Sequence, residues 1–136
     1  MLTARDWFGD GSIYVVDIPL ACCALETQAA AGLRPPVALS ELPLGADLVV
    51  TLSGTITAAI APAVSSTLQT LPSERTVVAF GACACAGGPY WDAYSVLPGA
   101  DDLVPVDHYI AGCPPPPAAL DNYLEQRRDT LLRARP

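Results

Sequence analysis

The feature that most constrains the fold is a series of short apolar runs, each followed by residues typical of turns. Residues 12–18, 46–52 and 75–80 are rich in β-branched side chains, as expected for buried strands. A fourth run, residues 103–106, is shorter and contains Pro105, which favours an edge position. Helix-forming stretches separate these runs. We therefore predict an α/β fold with a mostly parallel sheet and right-handed crossovers.

Three stretches between and after the strands are predicted to be helical. Residues 23–31 are rich in Ala, Leu, Glu and Gln, and Gly32 ends this helix. Pro62 fits the first turn of a second helix, because a backbone N–H would have no helical partner there. Residues 117–132 are predicted to form the third helix. The segment 33–45 has little periodicity, and we expect it to be a loop.

The composition indicates one domain, residues 1–136, whose surface is largely covered by other proteins. Hydrophobic residues make up 51% of the chain and charged residues 15%, and the mean hydropathy is +0.36. No apolar run is long enough to cross a bilayer, and we expect no signal peptide. A soluble subunit that is enclosed by partners fits this composition, and an Ala- and Pro-rich protein without such partners is the alternative.

The charge distribution argues against nucleic-acid binding. The net charge is −7 and the sequence contains no lysine, whereas a nucleic-acid partner requires a basic surface. The basic residues are concentrated late in the chain, at Arg127, Arg128, Arg133 and Arg135. We interpret this cluster as a solvated helix face, and docking to a partner or to anionic lipid is the alternative.

Five cysteines occur in three separate segments of the chain. They are Cys22, Cys23, Cys83, Cys85 and Cys113. The tandem pair follows the first predicted strand, Cys83 follows the third and Cys113 follows the fourth. Parallel strands end at the same edge of a sheet, and sites in such sheets form outside this edge. The cysteines are therefore predicted to converge.

Several kinds of chemistry use cysteine, and convergence favours a shared iron–sulfur cluster. Disulfides suit secreted chains, and adjacent cysteines pair poorly with each other. Zinc ligands normally come as Cys-x2-4-Cys pairs, which this sequence lacks. Buried thiols that act as small hydrophobic groups are a structural alternative. Four thiolates around a cluster would leave one cysteine over.

Eight short segments resemble one family of iron–sulfur proteins. They are residues 22–26, 46–50, 54–57, 61–62, 81–84, 87–88, 104–107 and 112–115. Together they resemble the iron–sulfur B subunit of respiratory complex I, also called the 20 kDa or PSST subunit. The same family includes the small subunits of membrane-bound energy-converting nickel–iron hydrogenases and of formate hydrogenlyase. The resemblance covers most of the chain.

The resemblance implies a flavodoxin-like three-layer fold that holds one [4Fe–4S] cluster in loops at the carboxyl ends of the strands. Carried over position by position, the implied ligands are Cys22, Cys23, Cys83 and Cys113. Cys85 falls where relatives often have a residue that is not a ligand, so it is interpreted as the cysteine left over.

Residues next to the implied ligands are candidates for tuning the cluster. Glu26 matches the acidic residue that follows the cysteine pair in this family, and a simple carboxylate near a helix N-terminus is the alternative. Gly81, Gly87 and Gly112 are expected to let the backbone approach the sulfur atoms and to direct N–H groups at them.

The implied function is electron transfer in a complex I-like NADH:quinone oxidoreductase. The cluster is expected to exchange electrons at an interface with the large catalytic subunit. A ferredoxin-like subunit would relay electrons, and membrane subunits would complete the assembly. The chain is expected at the cytoplasmic face of the cell membrane, as a soluble subunit without a transmembrane segment. No residue of the chain is predicted to be catalytic.

Two features of the sequence leave other functions open. Residues 81–83 and Asp92 with Tyr94 resemble the hydrogenase branch, whereas Leu20, which replaces a cysteine of that branch, favours complex I. The segment between Glu26 and Ala46 is shorter than in both branches and lacks their Ser-Pro-Arg motif, which puts quinone binding in doubt. The alternatives are a hydrogenase or formate hydrogenlyase-type complex, a cluster-containing assembly or scaffold paralogue, and a zinc-binding structural domain.

Three other side chains near the implied cluster are expected to have ordinary roles. His108, the single histidine, is interpreted as a polar loop residue, with a proton-coupled role as the alternative. Tyr109 and Trp91 are expected to pack beside the cluster or a partner.

Overall fold

The computed structural model describes residues 3–20, 23–43, 45–88 and 94–134. Within these ranges the strands are β1 (Ala4–Asp6), β2 (Tyr14–Pro19), β3 (Pro36–Val37), β4 (Leu48–Ser53), β5 (Thr76–Phe80) and β6 (His108–Ile110). They form one sheet in the order β3-β1-β2-β4-β5-β6. β1 is antiparallel to both of its neighbours, and β2, β4, β5 and β6 pair in parallel.

Helices cover both faces of this sheet and make three layers. They are α1 (Cys23–Ala31), α2 (Ala61–Thr70), α3 (Ala82–Ala86) and α4 (Pro117–Ala134). One apolar core lies between the sheet and α2, around Val50 and Leu68. The other lies beneath α1 and α4, around Val49 and Leu124. No helix in the described ranges has the length and apolar character that crossing a membrane requires.

The order of the parallel strands is that of a flavodoxin-like sheet with one extra strand inserted. β3 points the same way as β2, because both are antiparallel to β1. Without β1, the parallel strands follow the order second, first, third, fourth, fifth. The chain therefore reverses its direction across the sheet between β2 and β4. Ligand sites in open α/β sheets lie at such a reversal point, outside the carboxyl ends of the strands.

The strand predicted at residues 103–106 is wrong. The last strand is β6, which begins at His108, two residues after the end of the predicted segment. A 3-10 turn at Ala100–Asp102 precedes that segment. Pro105 has no N–H to donate to a neighbouring strand. Pairing begins only at Asp107, whose N–H donates to the Val77 carbonyl at 2.8 Å. The strand at this position does lie at the edge of the sheet.

The segment 33–45, expected to be a loop, contributes the other edge of the sheet. It contains β3 and a 3-10 turn at Leu39–Glu41. Leu39 and Leu42 pack against the core on the α2 face. The sequence did not predict β1 or β3, since strands of two or three residues are too short to show a period.

Arg34 fastens the end of α1 to the segment that follows β1. Its Nε donates to the Trp7 carbonyl at 2.6 Å, and its Nη1 donates to the carbonyls of Ala30 at 2.7 Å and Ala31 at 3.1 Å. The guanidinium carbon lies 4.3 Å from the centre of the Trp7 ring. Arg5 in turn donates to the Arg34 carbonyl. The one arginine of the shortened segment is therefore used to hold the fold together.

Candidate functional site

Three cysteine-bearing segments meet at the carboxyl edge of the parallel strands. The segments after β5 and β6 are joined by two backbone hydrogen bonds. Gly81 N–H donates to the Ile110 carbonyl at 2.8 Å, and Ala82 N–H donates to the Gly112 carbonyl at 2.7 Å. The start of α1 reaches the same place, because a β-carbon on Gly81 would lie 2.3 Å from Cys23 Sγ.

Two of the cysteine sulfur atoms lie directly against glycine backbone. Cys23 is 2% exposed and Cys83 is 8% exposed. Beside Cys83, a β-carbon on Gly88 would lie 2.9 Å from Sγ. Gly81 and Gly88 have φ values of +100° and +55°, which side-chain-bearing residues rarely adopt. The absence of a side chain at both glycines thus keeps space next to the two sulfurs.

The remaining implied ligands differ in how far the structure describes them. Cys113 is exposed, at the end of the loop that follows β6. Cys22 lies outside the described residues. In the part of the chain that the structure describes, no three His, Cys, Asp or Glu side chains are grouped so that they could hold one metal ion. The structure therefore brings the cysteine-bearing loops together, and the ligand set stays a prediction.

Two of the three predicted glycine amides, those of Gly81 and Gly87, donate to carbonyl groups, whereas the sequence predicted that they would be directed at sulfur. Gly81 N–H is used by Ile110, and Gly87 N–H donates to the Cys83 carbonyl at 3.0 Å. Gly112 serves a tight turn, because a β-carbon there would lie 2.7 Å from Pro115 Cα. Close backbone approach to sulfur is therefore observed at Gly81 and Gly88, whereas Gly112 lies against Pro115.

Two other candidates from the sequence lie on the helices beside the site. Glu26 is half-buried in the first turn of α1. Cys85 in α3 places its Sγ 3.5 Å from the carbonyl oxygens of Ala79 and Ile110. Burial raises the pKa of the Cys85 thiol, which disfavours the thiolate that a metal ligand needs. The interpretation of Cys85 as the cysteine left over stays a prediction.

Asp17 is a polar residue at this end of the sheet that the sequence reasoning missed. Its Oδ1 accepts hydrogen bonds from Thr51 and Ser53, both at 2.6 Å, and its Oδ2 lies 3.0 Å from Thr27 Oγ1. Burial raises the pKa of the carboxyl group, and the hydroxyl hydrogen bonds oppose this shift. Only the register of β2 with β4 reveals this arrangement, because Asp17 lies opposite Thr51 and Pro19 lies opposite Ser53.

The raised pKa of Asp17 predicts a pH dependence of stability. The folded protein binds this proton more tightly than the unfolded chain does, so stability falls as pH rises from 3.8, the ordinary carboxyl value, through the raised pKa. We expect the unfolding free energy of Asp17→Asn to increase relative to the wild type between pH 4 and pH 7. Urea titrations at pH 4 and pH 7 measure the unfolding free energy of both proteins. The same difference between variant and wild type at both pH values would contradict the prediction.

His108 begins β6, whereas the sequence predicted a loop residue, and its ring packs on α4. Its ring is stacked on Tyr123 with centroids 4.1 Å apart. Burial lowers the pKa of the imidazole from 6.5, so the neutral form is favoured. The wild type is therefore expected to lose stability relative to His108→Gln as pH falls below 6.5. The melting temperatures of both proteins at pH 7 and pH 5 test this. An equal change in melting temperature for the two proteins would refute it.

The aromatic residues expected near the cluster are only partly described. Tyr109 is 46% exposed on β6. Trp91 and Asp92 lie outside the described residues. Tyr94 is fully exposed.

The sequence and the fold identify the family. Residues 25–126 match the model of the "NADH ubiquinone oxidoreductase, 20 Kd subunit" family. The chain belongs to this family. An NADH-quinone oxidoreductase B subunit of Streptomyces griseus is 43% identical over 98% of the chain, which spans 59% of that relative. The corresponding B subunit of Heliobacterium modesticaldum is 39% identical over 88% of the chain and 72% of its own length.

A solved structure shares the fold of this family member. It is a chain from the membrane-bound sulfane sulfur reductase, described as an archaeal respiratory membrane complex. The TM-score is 0.69 at 25% identity, over 94% of the present chain and 75% of the other. The α/β architecture with its mostly parallel sheet is therefore confirmed.

Proposed function

We propose that this chain is the electron-transfer subunit of a complex I-type NADH:quinone oxidoreductase. It would hold one [4Fe–4S] cluster through Cys22, Cys23, Cys83 and Cys113. The names of the relatives support the type of complex. The main observation in support of the cluster is that cysteine-bearing segments meet at one edge of the sheet, where glycine backbone lies against two of the sulfur atoms.

The residues at this edge have the chemistry that such a cluster needs. Thiolates are the ligands that iron–sulfur clusters require. The glycines at positions 81 and 88 leave room beside Cys23 and Cys83, where a β-carbon would fill the space. Both cysteines are buried, so the protein excludes water from their sulfur atoms. When bound, the cluster supplies a centre that accepts and releases one electron at a time.

The exposure of the cysteines indicates where a partner has to close the site. Cys113 is exposed, whereas Cys23 and Cys83 lie in the buried wall. We therefore place the large catalytic subunit against the Cys113 loop. A ferredoxin-like subunit would relay electrons, and membrane subunits would hold the assembly at the cytoplasmic face of the cell membrane.

The shortened segment after α1 bears on quinone binding. Its residues form β3, pack Leu39 and Leu42 into the core, and place Arg34 on the backbone of α1. Little of the segment is left to line a quinone cavity. This arrangement supports a quinone site formed mainly by the partner subunits.

Electron paramagnetic resonance of the purified complex tests the proposal. Dithionite and NADH, used separately, are expected to produce the signal of a reduced cluster, and hydrogen is expected to produce none. Cys83→Ser and Cys113→Ser should lose iron, because each removes a ligand sulfur. Cys85→Ser is the matched control and should retain both iron and signal. Loss of iron in all three variants would contradict the ligand assignment.

A second candidate is the subunit of a related respiratory complex with another substrate. The solved relative is named as a sulfane sulfur reductase, so the same fold is present in a complex named for different chemistry. Reduction by hydrogen but not by NADH would favour the hydrogenase type. A cluster that no substrate reduces would favour an assembly or scaffold paralogue, and a colourless protein that contains zinc would favour a structural zinc domain.

A further inference from the structure

A cavity lies between α1 and the sheet. Its volume is about 270 Å³, which is enough space for several water molecules. Arg5, Trp7, Asp17, Thr27 and Gln28 contribute to its lining. The Asp17 carboxyl group is thus reachable from the cavity, although Thr51 and Ser53, its hydrogen-bond partners on the other oxygen, are fully buried.

Asp17 has no cationic partner among the described residues. None of the ion pairs in this part of the chain includes it. Arg5 on β1 lines the same cavity. β4 presents only the hydroxyls of Thr51 and Ser53, and α4 presents the apolar Leu120. On α1, the residues that face the cavity carry no charge, and Cys23 is the titratable residue one turn before Thr27.

The hydroxyl of Thr27 can accommodate both protonation states of Asp17. Thr27 Oγ1 lies 3.0 Å from Asp17 Oδ2 and 2.9 Å from the Ala24 carbonyl, but a hydroxyl has only one proton to donate. When Asp17 is ionised, Thr27 donates to Oδ2. When Oδ2 carries a proton, Asp17 donates to Thr27, which then donates to Ala24. Thr51 and Ser53 donate to Oδ1 in both states, so no heavy atom has to move.

We propose that Asp17 and Thr27 form a proton-binding site that takes up a proton from the cavity when an electron is added at the carboxyl edge of the sheet. The inference rests on the proposed function. Thr27 follows Cys23 by four residues of α1, which is about 6 Å along the helix axis. Negative charge added near the start of α1 increases the proton affinity of a carboxylate in the protein interior. The electron comes from the reductant, the proton comes from solvent, and it binds to Oδ2.

Infrared difference spectroscopy of the intact complex tests the site. Spectra of the oxidised and the dithionite-reduced states are compared at pH 7, and paramagnetic resonance first establishes that the cluster is present. The wild type is expected to gain a carboxylic-acid carbonyl band on reduction and to take up a proton, measured with a pH indicator. Asp17→Asn is expected to lose the band and the associated proton uptake. Asp102→Asn, at an exposed carboxylate, is the matched control and should keep both.

A second variant separates the site from a general loss of structure. Thr27→Val removes the hydroxyl that serves both protonation states, and it is expected to move or abolish the band while leaving the iron content unchanged. A band that persists in Asp17→Asn, or no band in a wild type that shows the cluster signal, would overturn the inference alone. A wild type without any cluster signal would overturn the proposed function, and this inference with it.

Discussion

Gly81→Ala is expected to abolish iron incorporation and to lower the free energy of unfolding by about 3 kcal/mol. A methyl group at this position would lie 2.3 Å from Cys23 Sγ and 3.3 Å from Cys23 Cβ. Cys23 begins α1 and is buried, so its side chain cannot move aside without shifting the helix. The substitution therefore displaces a proposed ligand and overpacks the junction of α1 with the loop after β5.

Gly45→Ala separates this clash from the strain of the backbone. Gly45 has φ of +77°, comparable to the +100° of Gly81, but a β-carbon there would have no atom within 4 Å. The control is expected to cost about 1 kcal/mol and to leave the iron content intact. Iron per chain, visible absorbance and urea unfolding measure both variants. Equal losses in the two proteins would show that close approach of Gly81 to Cys23 is unimportant.

Arg34→Ala is expected to destabilise the protein by about 2–4 kcal/mol. The guanidinium group is the donor for three backbone carbonyls and also stacks on Trp7. Two of these carbonyls belong to the last turn of α1, where the Ala31 carbonyl also accepts the backbone N–H of Arg34 at 3.2 Å. Truncation therefore removes the side-chain donor of the Ala30 carbonyl and detaches the helix end from the segment after β1.

Arg128→Ala provides a comparison in the same protein. Arg128 also lies over an aromatic ring, 4.7 Å from the centre of Phe8, and pairs with Asp10 at the surface. This arginine caps no helix, and an exposed ion pair contributes less than about 1 kcal/mol. The free energies of unfolding of the two variants, measured with a denaturant, should differ clearly. If Arg128→Ala costs as much as Arg34→Ala, ring packing rather than helix capping accounts for the effect.

The sequence predicted those parts of the fold that depend on long patterns. The helix at residues 23–31 has the bounds of α1, and the central strands differ from the prediction by one or two residues at their ends. These elements are long enough for their composition and for the turn residues that end them to be recognised. β1 and β3 carry two or three residues each, and only their pairing in the finished sheet makes them strands.

The candidate site was predictable to the level of its segments. The rule that sites lie beyond the carboxyl ends of parallel strands brought the Cys23, Cys83 and Cys113 segments together. It could not show that Gly81 and Gly88 are the glycines against sulfur, because close approach depends on how the loops pack. The hydrogen bonds of Asp17 with Thr51 and Ser53 could not be predicted either. They depend on the register of two strands, and the bonded residues are 34 and 36 positions apart in the sequence.

The two outer strands of the sheet limit how other chains can attach to this protein. β3 has two residues, one of which is Pro36, and β6 has three. Such short borders expose few backbone groups for a further strand to pair with, so the sheet is poorly suited to extension into fibrils or strand-exchanged dimers. The proposed subunit of a larger complex would gain from this arrangement before it is assembled. Contacts with the proposed partners would then be made by side chains on helices and loops.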